Sequence, residues 1–224
     1  MTTRPHRAAS PLTVSTLTLD ELVARAAALA SERPRTLLGI VGAPGAGKST
    51  LCTALAQALA GRAVVVGMDG FHLDDEVLLA LGRRDRKGAP DTFDIPGYIS
   101  MLHRLSRAEE EVTYAPRFDR NLEASRGSAV SVPRSIPLVI TEGNYLLHNE
   151  GIWAGVCPTL HEAWYLDVTS PERVRRLVER RLSCGDTPQQ ARSWVEGVDE
   201  SNASVVLAGR ERADLVVKLA DPIL

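Results

Sequence analysis

The sequence has few cysteines and no strong excess of charge of either sign. Its three cysteines form no metal-spaced pair and are too few for a disulfide framework, which indicates a reducing compartment: they are Cys52, Cys157 and Cys184. The formal net charge is −2, so the chain lacks the basic field that favours binding to nucleic acid or to an anionic membrane surface. We therefore expect neither a nucleic-acid partner nor a membrane partner.

Long hydrophobic runs are missing as well. No apolar stretch approaches the roughly 20 residues that a membrane-spanning helix needs, and residues 1–17 contain no apolar segment like that of a signal peptide. We expect a cytoplasmic protein in which residues 1–17 form a disordered tail and residues 18–224 form a single domain. A length of 224 residues is enough for one sizeable core.

What the sequence does contain is a glycine-rich turn ending in a lysine and a hydroxyl residue. Four residues of the stretch LLGIVGAPGAGKST fit the pattern G-x-x-x-x-G-K-[ST]: Gly42, Gly47, Lys48 and Ser49. In this pattern the glycines let backbone N–H groups face phosphates, the lysine reaches the β and γ phosphates, and the hydroxyl binds Mg²⁺. The pattern predicts a phosphate-binding loop.

The residues on either side of the turn favour the same interpretation. Leu37 to Val41 has the composition of a buried strand, and Leu51 to Ala60 that of a helix whose N-terminal partial positive charge would face the phosphates. A plain glycine turn between a strand and a helix is the alternative. We predict a nucleotide-binding loop made of Gly42, Ala43, Pro44, Gly45, Ala46, Gly47, Lys48, Ser49 and Thr50.

Short apolar strands alternate with helices along the chain, which predicts an α/β fold with a mostly parallel sheet flanked by helices on both faces. Thr18 and Glu21 have the spacing of a capping box at the start of the first helix. Thr113 to Val132 is polar and predicts a hairpin or flap over the substrate, and Thr187 to Ala208 predicts a helix. Leu215 to Leu219 predicts the last strand.

Three acidic residues each follow a predicted strand, and ligands bind to such sheets at the carboxyl ends of the strands. Asp69 could take the proton of an acceptor hydroxyl, or it could cap the next helix. Glu142 could hold Mg²⁺, which takes few protein carboxylates, or it could be a structural acid. Asp167 precedes TSPE, a sequence typical of a helix N-terminus, and the structural role is favoured for it.

A helix rich in arginine follows. Arg173, Arg176 and Arg180 lie at i, i+3 and i+7 and so share one helix face, with Arg181 and Gly185 at the helix end. This face is either a solvated basic surface or a lid, around residues 180–192, whose arginines close on phosphates and exclude water. With the lid interpretation, the predicted catalytic residues are Asp69, Lys48, Arg180 and Arg181.

These motifs together resemble the phosphoribulokinase, uridine kinase and pantothenate kinase family of P-loop kinases, from about residue 36 to residue 219. The segment MDGFH is similar to one whose aspartate acts as the base in bacterial pantothenate kinases, which implies that role for Asp69. TFDIPGY resembles a segment of uridine kinases whose aspartate holds substrate hydroxyls, which implies that role for Asp94. ITEGNYLL resembles a metal-linked segment and implies Mg²⁺ binding by Glu142, with Ser49. The GDTP turn resembles the family's lid. The resemblance implies a three-layer P-loop NTPase fold with a small lid.

One segment departs from the uridine kinase pattern. Uridine kinases carry a histidine after the strand that resembles Val112 to Tyr114, whereas this chain has APRFDR, with Arg117, Asp119 and Arg120. The segments KGAPDTFD, EGNYLL and WVEGVDESNA resemble a bacterial subgroup described as nucleoside or nucleotide kinase-like, some of whose members are described as fructose-transport-associated kinases.

The function implied is an ATP- and Mg²⁺-dependent kinase that phosphorylates an alcohol group of a small polar metabolite. A fructose-like sugar ranks above a uridine-like or nicotinamide-riboside-like nucleoside and above pantothenate, because four charged side chains near the site offer partners to hydroxyl groups: Asp94, Arg117, Asp119 and Arg120. The obvious rings nearby for stacking a base are Phe71, Phe93 and Tyr98. A nucleotide-binding regulatory switch is the alternative of another class, and a homodimer is left open. The predicted substrate residues are Asp69, His72, Asp94, Tyr98, Arg117, Asp119, Arg120, Asn144 and Tyr145.

Overall fold

The computed structural model describes residues 13–221 and residue 223. In this part of the chain eight strands form two sheets: β1 (Val14–Leu17), β2 (Thr36–Val41), β3 (Ala63–Gly67), β4 (Val112–Asp119), β5 (Ala124–Pro133), β6 (Leu138–Gly143), β7 (Glu162–Leu166) and β8 (Leu215–Leu219). The main sheet is parallel, with strand order β1-β8-β7-β2-β6-β3. Strands β4 and β5 form a separate antiparallel hairpin, in the region where the sequence predicts one.

Seven helices connect the strands of the described chain: α1 (Leu19–Glu32), α2 (Lys48–Ala58), α3 (Asp75–Ala80), α4 (Ile95–Arg107), α5 (Ser170–Ser183), α6 (Pro188–Trp194) and α7 (Glu200–Ala208). They cover both faces of the sheet. Every residue of β2 is buried, because neighbouring strands flank it and helices lie above and below. Leu38 and Ile40 pack with α1 and α2 on one face, whereas Leu37 and Val41 pack with α4 on the other. The predicted three-layer α/β architecture is confirmed.

The N-terminal segment is more ordered than the sequence predicts. Val14 to Leu17 form β1, which pairs in parallel with β8 from Val14 opposite Val216 to Leu17 opposite Leu219. The predicted disordered tail is therefore wrong for residues 14–17, whose backbone groups complete the edge of the sheet. The rest of that prediction, up to residue 12, lies outside the described residues. The predicted capping box is present: Thr18 Oγ1 accepts from Glu21 N at 3.2 Å, and Thr18 N donates to Glu21 Oε2 at 2.8 Å.

The predicted helix from Thr187 to Ala208 is interrupted. Helix α6 passes into a π-helical turn, Val195–Asp199, which is followed by α7. A π turn is a rare single-turn insertion inside an α-helix, so the helical pattern of the sequence predicts a continuous helix. Across the described residues, none of the helices combines the length and apolar character that crossing a bilayer requires.

The parallel strands bring the chemistry-bearing residues to one edge of the sheet. Glu142 lies near the end of β6, where its backbone is in register with Ile40 of β2 on one side and with Gly67 of β3 on the other. The glycine-rich loop follows β2, and Asp69 follows β3. The predicted convergence of these residues is thus a consequence of the strand order.

Candidate active site

The glycine-rich loop runs from the end of β2 to the first turn of α2, and its backbone needs glycine at two points. Gly45 and Gly47 have φ angles of +78° and +90°, in the left-handed region that side chains disfavour. A Cβ atom at Gly45 would also lie 2.7 Å from the carbonyl oxygen of Arg173 on α5. Helix α2 begins at Lys48, and its first N–H groups and its dipole point toward the loop, which makes this end of the helix suited to an anion.

Lys48 is buried, and its ammonium nitrogen is held by neutral groups. Nζ donates to the carbonyl oxygen of Gly42 at 2.9 Å and to Oδ1 of Asn144 at 2.7 Å. Burial lowers the pKa of Lys48, and the negative charges of Glu142 and Asp69 act in the opposite direction. Within the described residues Lys48 forms no ion pair, so its charge is available to a phosphate in the loop.

Ser49 and Glu142 lie beside this lysine and bind each other. Ser49 Oγ donates to Glu142 Oε1 at 2.9 Å. Burial raises the pKa of Glu142, and the nearby charge of Asp69 raises it further, whereas Lys48 lowers it. A partly buried hydroxyl and a carboxylate that gains from added positive charge fit Mg²⁺, which keeps several waters and takes few protein ligands. The described residues contain no cluster of three or more His, Cys, Asp or Glu side chains that could hold a metal, and such a Mg²⁺ site does not need one.

Asp69 lies in a short 3₁₀ helix, Met68–Phe71, directly after β3. The residue is partly exposed, and no other group in the described part of the chain hydrogen-bonds its carboxylate. Its charge acts on both Lys48 and Glu142, so the three side chains share one electrostatic environment. Gly70 is required next to it, because a Cβ there would lie 2.7 Å from the carbonyl oxygen of Pro116 in the β4–β5 hairpin. The hairpin therefore lies directly against the segment that carries Asp69.

The arginine face of α5 has a different role at each position. Arg173 is buried and donates to the carbonyl oxygen of Pro44 at 3.2 Å and to Glu200 at 2.9 Å. Arg176 lies near the next loop carbonyl, with Nη1 3.4 Å from the oxygen of Gly45. These two arginines fix the glycine-rich loop against α5. This contact was not predicted from the sequence, because it depends on how α5 packs.

The two arginines predicted to be catalytic differ in their surroundings. Arg181 pairs with Asp186 at 2.5 Å, and its guanidinium lies over the ring of Trp194, 4.6 Å from the centroid. Arg180 is exposed and has no ion-pair partner among the described residues, and its charge acts on Lys48. Of the two, Arg180 is the one free to meet a phosphate.

The prediction of a substrate-binding role is wrong for two tyrosines. Tyr98 is fully buried on α4, and its hydroxyl shares a hydrogen bond of 2.6 Å with Thr141 Oγ1 in the core. Tyr145 is also fully buried, and its hydroxyl donates to the carbonyl oxygen of Gly88 at 2.6 Å. Both side chains are enclosed by the packing of α4 and of the segment after β6, so neither presents a free hydroxyl to a substrate.

Two predicted carboxylates are committed to local structure. Asp94 accepts from Gly97 N at 2.9 Å and caps α4, although its side chain remains exposed. Asp119 binds the backbone of the hairpin turn and pairs with Arg126 at 3.1 Å, which lowers the pKa of its carboxyl. Neither contact was anticipated, because the residue types alone do not show which acids the chain uses to cap its own backbone.

Three further residues predicted to bind the substrate, Arg117, Arg120 and His72, differ in their exposure. Arg117 and Arg120 of the hairpin are exposed and form no ion pair in the part of the chain that the structure describes, and the charge of Arg120 lowers the pKa of Glu142. His72 lies between the rings of Phe93 and Phe118, at centroid distances of 4.1 and 4.9 Å.

Asp167 has the structural role that the sequence favours for it, because it pairs with Arg210 at 3.1 Å. Two polar residues beside the site had no predicted role. Asn202 of α7 lies with Nδ2 3.4 Å from the oxygen of Gly88, and Asp199 is buried in the π-helical turn. Their segment, WVEGVDESNA, resembles the kinase subgroup, but that resemblance implies no role for either residue.

Comparisons with known proteins extend over nearly the whole chain. No protein-family model matches it. A protein of Schizosaccharomyces pombe provisionally named as a uridine kinase is 31% identical over 210 residues, which cover 89% of this chain and 89% of that protein. The protein YggC of Escherichia coli is 32% identical over 202 residues, which cover 87% of this chain and 83% of that protein. The crystal structure of a Silicibacter sp. TM1040 protein, provisionally described as a fructose transport system kinase, has a TM-score of 0.82 at 36% identity and covers 89% of this chain and 98% of its own.

Proposed function

The chain belongs to the family of P-loop kinases that contains uridine kinases and pantothenate kinases, and on that premise we propose that it transfers the γ-phosphate of ATP to an alcohol group of a small polar metabolite, with Mg²⁺. The observation on which the proposal depends is the environment of the Asp69 carboxylate. Its carboxylate is partly exposed and has no hydrogen-bond partner among the described residues, and its negative charge raises the pKa of both Lys48 and Glu142. A general base for an acceptor hydroxyl needs these properties.

The chain's own residues divide the work as follows. The N–H groups of the glycine-rich loop and the ammonium of Lys48 bind the phosphates of ATP, which places the γ-phosphorus at the edge where Asp69 lies. Ser49 and Glu142 would hold Mg²⁺, which supplies positive charge to the phosphate oxygens. Asp69 accepts the proton of the acceptor hydroxyl as that oxygen bonds to the γ-phosphorus. The bond between the γ-phosphorus and the bridging oxygen then breaks, and ADP leaves with the electron pair.

The burial of the aromatic rings near the site favours a sugar-like acceptor over a nucleoside. Phe71, Phe93 and Tyr98, the rings that the sequence places near the site, are all buried in the core. None of the three presents a free face on which a nucleobase could stack. Phe118 is partly exposed, but Lys87 lies over its ring at 5.3 Å from the centroid.

The hairpin arginines support the same ranking. Asp94 and Asp119 accept hydrogen bonds from their own backbone, whereas Arg117 and Arg120 are exposed and have no ion-pair partner in the described part of the chain. A guanidinium donates to hydroxyl, carboxylate and phosphate oxygens alike. We therefore propose that the acceptor is rich in oxygen, as a sugar or a sugar derivative is. We also propose that the reaction takes place in the cytoplasm, where ATP is available.

The test is ADP release from MgATP with one acceptor at a time. The panel contains fructose, glucose, gluconate, fructose 6-phosphate, glycerate, uridine, cytidine, nicotinamide riboside and pantothenate, with pantothenyl alcohol as the neutral match of pantothenate. We expect a sugar or sugar derivative to accelerate ADP release far above the rate with water, and the Asp69→Asn variant to lose that acceleration.

Two results would contradict the proposal in different ways. Acceleration by a nucleoside alone would keep the kinase and overturn the acceptor class. Slow ATP hydrolysis that no acceptor accelerates would overturn the kinase proposal and favour a nucleotide-binding switch.

A further inference from the structure

One buried carboxylate next to the arginine helix has no assigned role. Asp199 is only 8% exposed, and its Oδ2 atom has no hydrogen-bond partner among the described residues. Burial raises the pKa of this carboxyl. Leaving a buried polar atom unsatisfied costs free energy, so such an atom in a native structure needs an explanation.

The backbone around Asp199 is also irregular. Asp199 ends the π-helical turn Val195–Asp199, which packs against α5. A π turn inserts one residue into a helix and thereby turns the following side chains, and such turns occur frequently at functional sites. Asp199 is buried where this turn packs against α5, the helix that carries the arginine face.

The charged groups that act on Asp199 are Arg180, Arg181, Arg173 and Glu200, with Arg180 the strongest of the four. Two of the arginines are committed elsewhere. Arg173 binds Glu200 and the loop carbonyl of Pro44, and Arg181 binds Asp186 and lies over Trp194. Of the three arginines that act on Asp199, only Arg180 is exposed and has no ion-pair partner in the described part of the chain. The unsatisfied oxygen and the unpaired guanidinium therefore lie on two segments that pack together, the π-helical turn and α5, and the charge of Arg180 acts on Asp199.

The positive charge of Arg180 also acts on the glycine-rich loop, because it lowers the pKa of Lys48. Its guanidinium thus lies within electrostatic reach of both the phosphate-binding ammonium and the buried carboxylate. An arginine side chain is long and loses much rotamer freedom when it is fixed, so a carboxylate that also accepts from it limits the positions from which it can meet a phosphate.

We propose that Asp199 is a positioning residue: its free carboxylate oxygen accepts from the guanidinium of Arg180 and sets where that arginine meets the γ-phosphate of bound ATP. The proposal rests on the proposed function, since it requires ATP in the glycine-rich loop. It assigns a use to the π turn, to the unsatisfied oxygen and to the free arginine together.

The test is a double-mutant cycle on nucleotide selectivity, which needs no knowledge of the acceptor. The Kd values of MgADP and of a non-hydrolysable MgATP analogue are measured by calorimetry for the parent, Asp199→Asn, Arg180→Ala and the double variant. Only the analogue carries a γ-phosphate, so the ratio of the two Kd values reports on the arginine. We expect each single variant to lower the preference for the analogue by roughly tenfold, the effect of one charge-assisted hydrogen bond, and the double variant to lower it no further.

The controls separate this role from a structural one. Glu196→Gln changes an exposed acid in the same π turn and is expected to leave the ratio at the parent value. Asp199→Asn keeps the shape of the side chain and removes a buried charge, so it is expected to fold, and its melting temperature is measured alongside.

The other outcomes would overturn either the role of Asp199 or the proposed function, and they can be told apart. Additive effects of the two substitutions, or an unchanged ratio in Asp199→Asn, would overturn the role of Asp199 and leave ATP binding intact. A parent protein that binds neither nucleotide would instead overturn the proposed function itself.

Discussion

Ser49 and Glu142, the two side chains predicted to hold Mg²⁺, are hydrogen-bonded to each other, with Ser49 Oγ 2.9 Å from Glu142 Oε1. The bond links the first turn of α2 to the end of β6, at the point where β6 lies between β2 and β3. A cation placed between these oxygens would offset the cost of burying the Glu142 carboxylate.

Glu142→Gln is expected to weaken the dependence on Mg²⁺ without abolishing nucleotide binding. Glutamine keeps an oxygen for Ser49 but removes the negative charge that attracts the cation. We expect the Mg²⁺ concentration for half-maximal ADP release to rise by at least about tenfold, since a charge-assisted contact is lost. The exposed Glu179, changed to Gln, serves as the control. An unchanged Mg²⁺ titration curve would remove Glu142 from the metal site.

The same substitution is expected to stabilise the nucleotide-free protein at about neutral pH. Burial and Asp69 raise the pKa of Glu142 in the folded state above its ordinary value of 4.5. The stabilising contribution of the protonated carboxyl is therefore fully present below about pH 4.5 and is lost as the pH rises through the folded-state pKa. Above that pH the folded protein carries an ionised buried carboxylate, which glutamine lacks.

Thermal denaturation of the parent and Glu142→Gln across a pH series measures this effect. The variant is expected to melt at a higher temperature at about pH 7, and the difference is expected to shrink as the pH approaches 4.5. A difference in melting temperature that did not depend on pH would contradict this account of the Glu142 pKa.

Gly45 and Gly61 form a matched pair for testing the glycine-rich loop. Both have positive φ angles, +78° and +76°, so alanine at either position strains the backbone by about 1 kcal/mol. Only at Gly45 would the new Cβ meet another segment, 2.7 Å from the oxygen of Arg173, whereas nothing lies within 4 Å at Gly61. We expect Gly45→Ala to weaken ATP binding and to lower the melting temperature more than Gly61→Ala does. Equal ATP affinity in the two variants, measured by calorimetry, would show that the contact between the loop and α5 is unimportant for binding.

Lys48→Met is expected to weaken ATP binding as well as to abolish turnover. Methionine keeps most of the buried aliphatic chain and removes the ammonium, which binds Gly42 and Asn144 in the free protein. Lys218→Met, an exposed lysine on β8, is the control. ATP affinity equal to that of the parent would mean that Lys48 does not reach the nucleotide.

The sequence predicts the sheet and the site edge well, because both follow from local patterns. Runs such as TLLGIV read as buried strands, and parallel strands necessarily end at one edge, so the glycine-rich loop, Asp69 and Glu142 had to converge. The capping box at Thr18 and the β4–β5 hairpin are local in the same sense.

What the sequence does not predict depends on tertiary packing. Tyr98 looks like a substrate ligand in the motif TFDIPGY, yet it shares a helix face with Leu102 and Leu105 and is buried with them. That periodicity, taken alone, predicts that Tyr98 lies in the core. The π-helical turn at Val195–Asp199 and the burial of Asp199 arise only when α5, α6 and α7 pack together, and no local pattern encodes them.

The central claim is that the Asp69 carboxylate takes the proton of the acceptor hydroxyl beside ATP held by Lys48. The most direct measurement is single-turnover phosphoryl transfer by Asp69→Asn with the acceptor that the panel identifies, alongside its affinity for MgATP. The exposed Asp20 on α1, changed to Asn, is the control. We predict a rate lower by about 10² or more at nearly unchanged MgATP affinity, the scale of general base catalysis. A rate equal to that of the parent would contradict the mechanism.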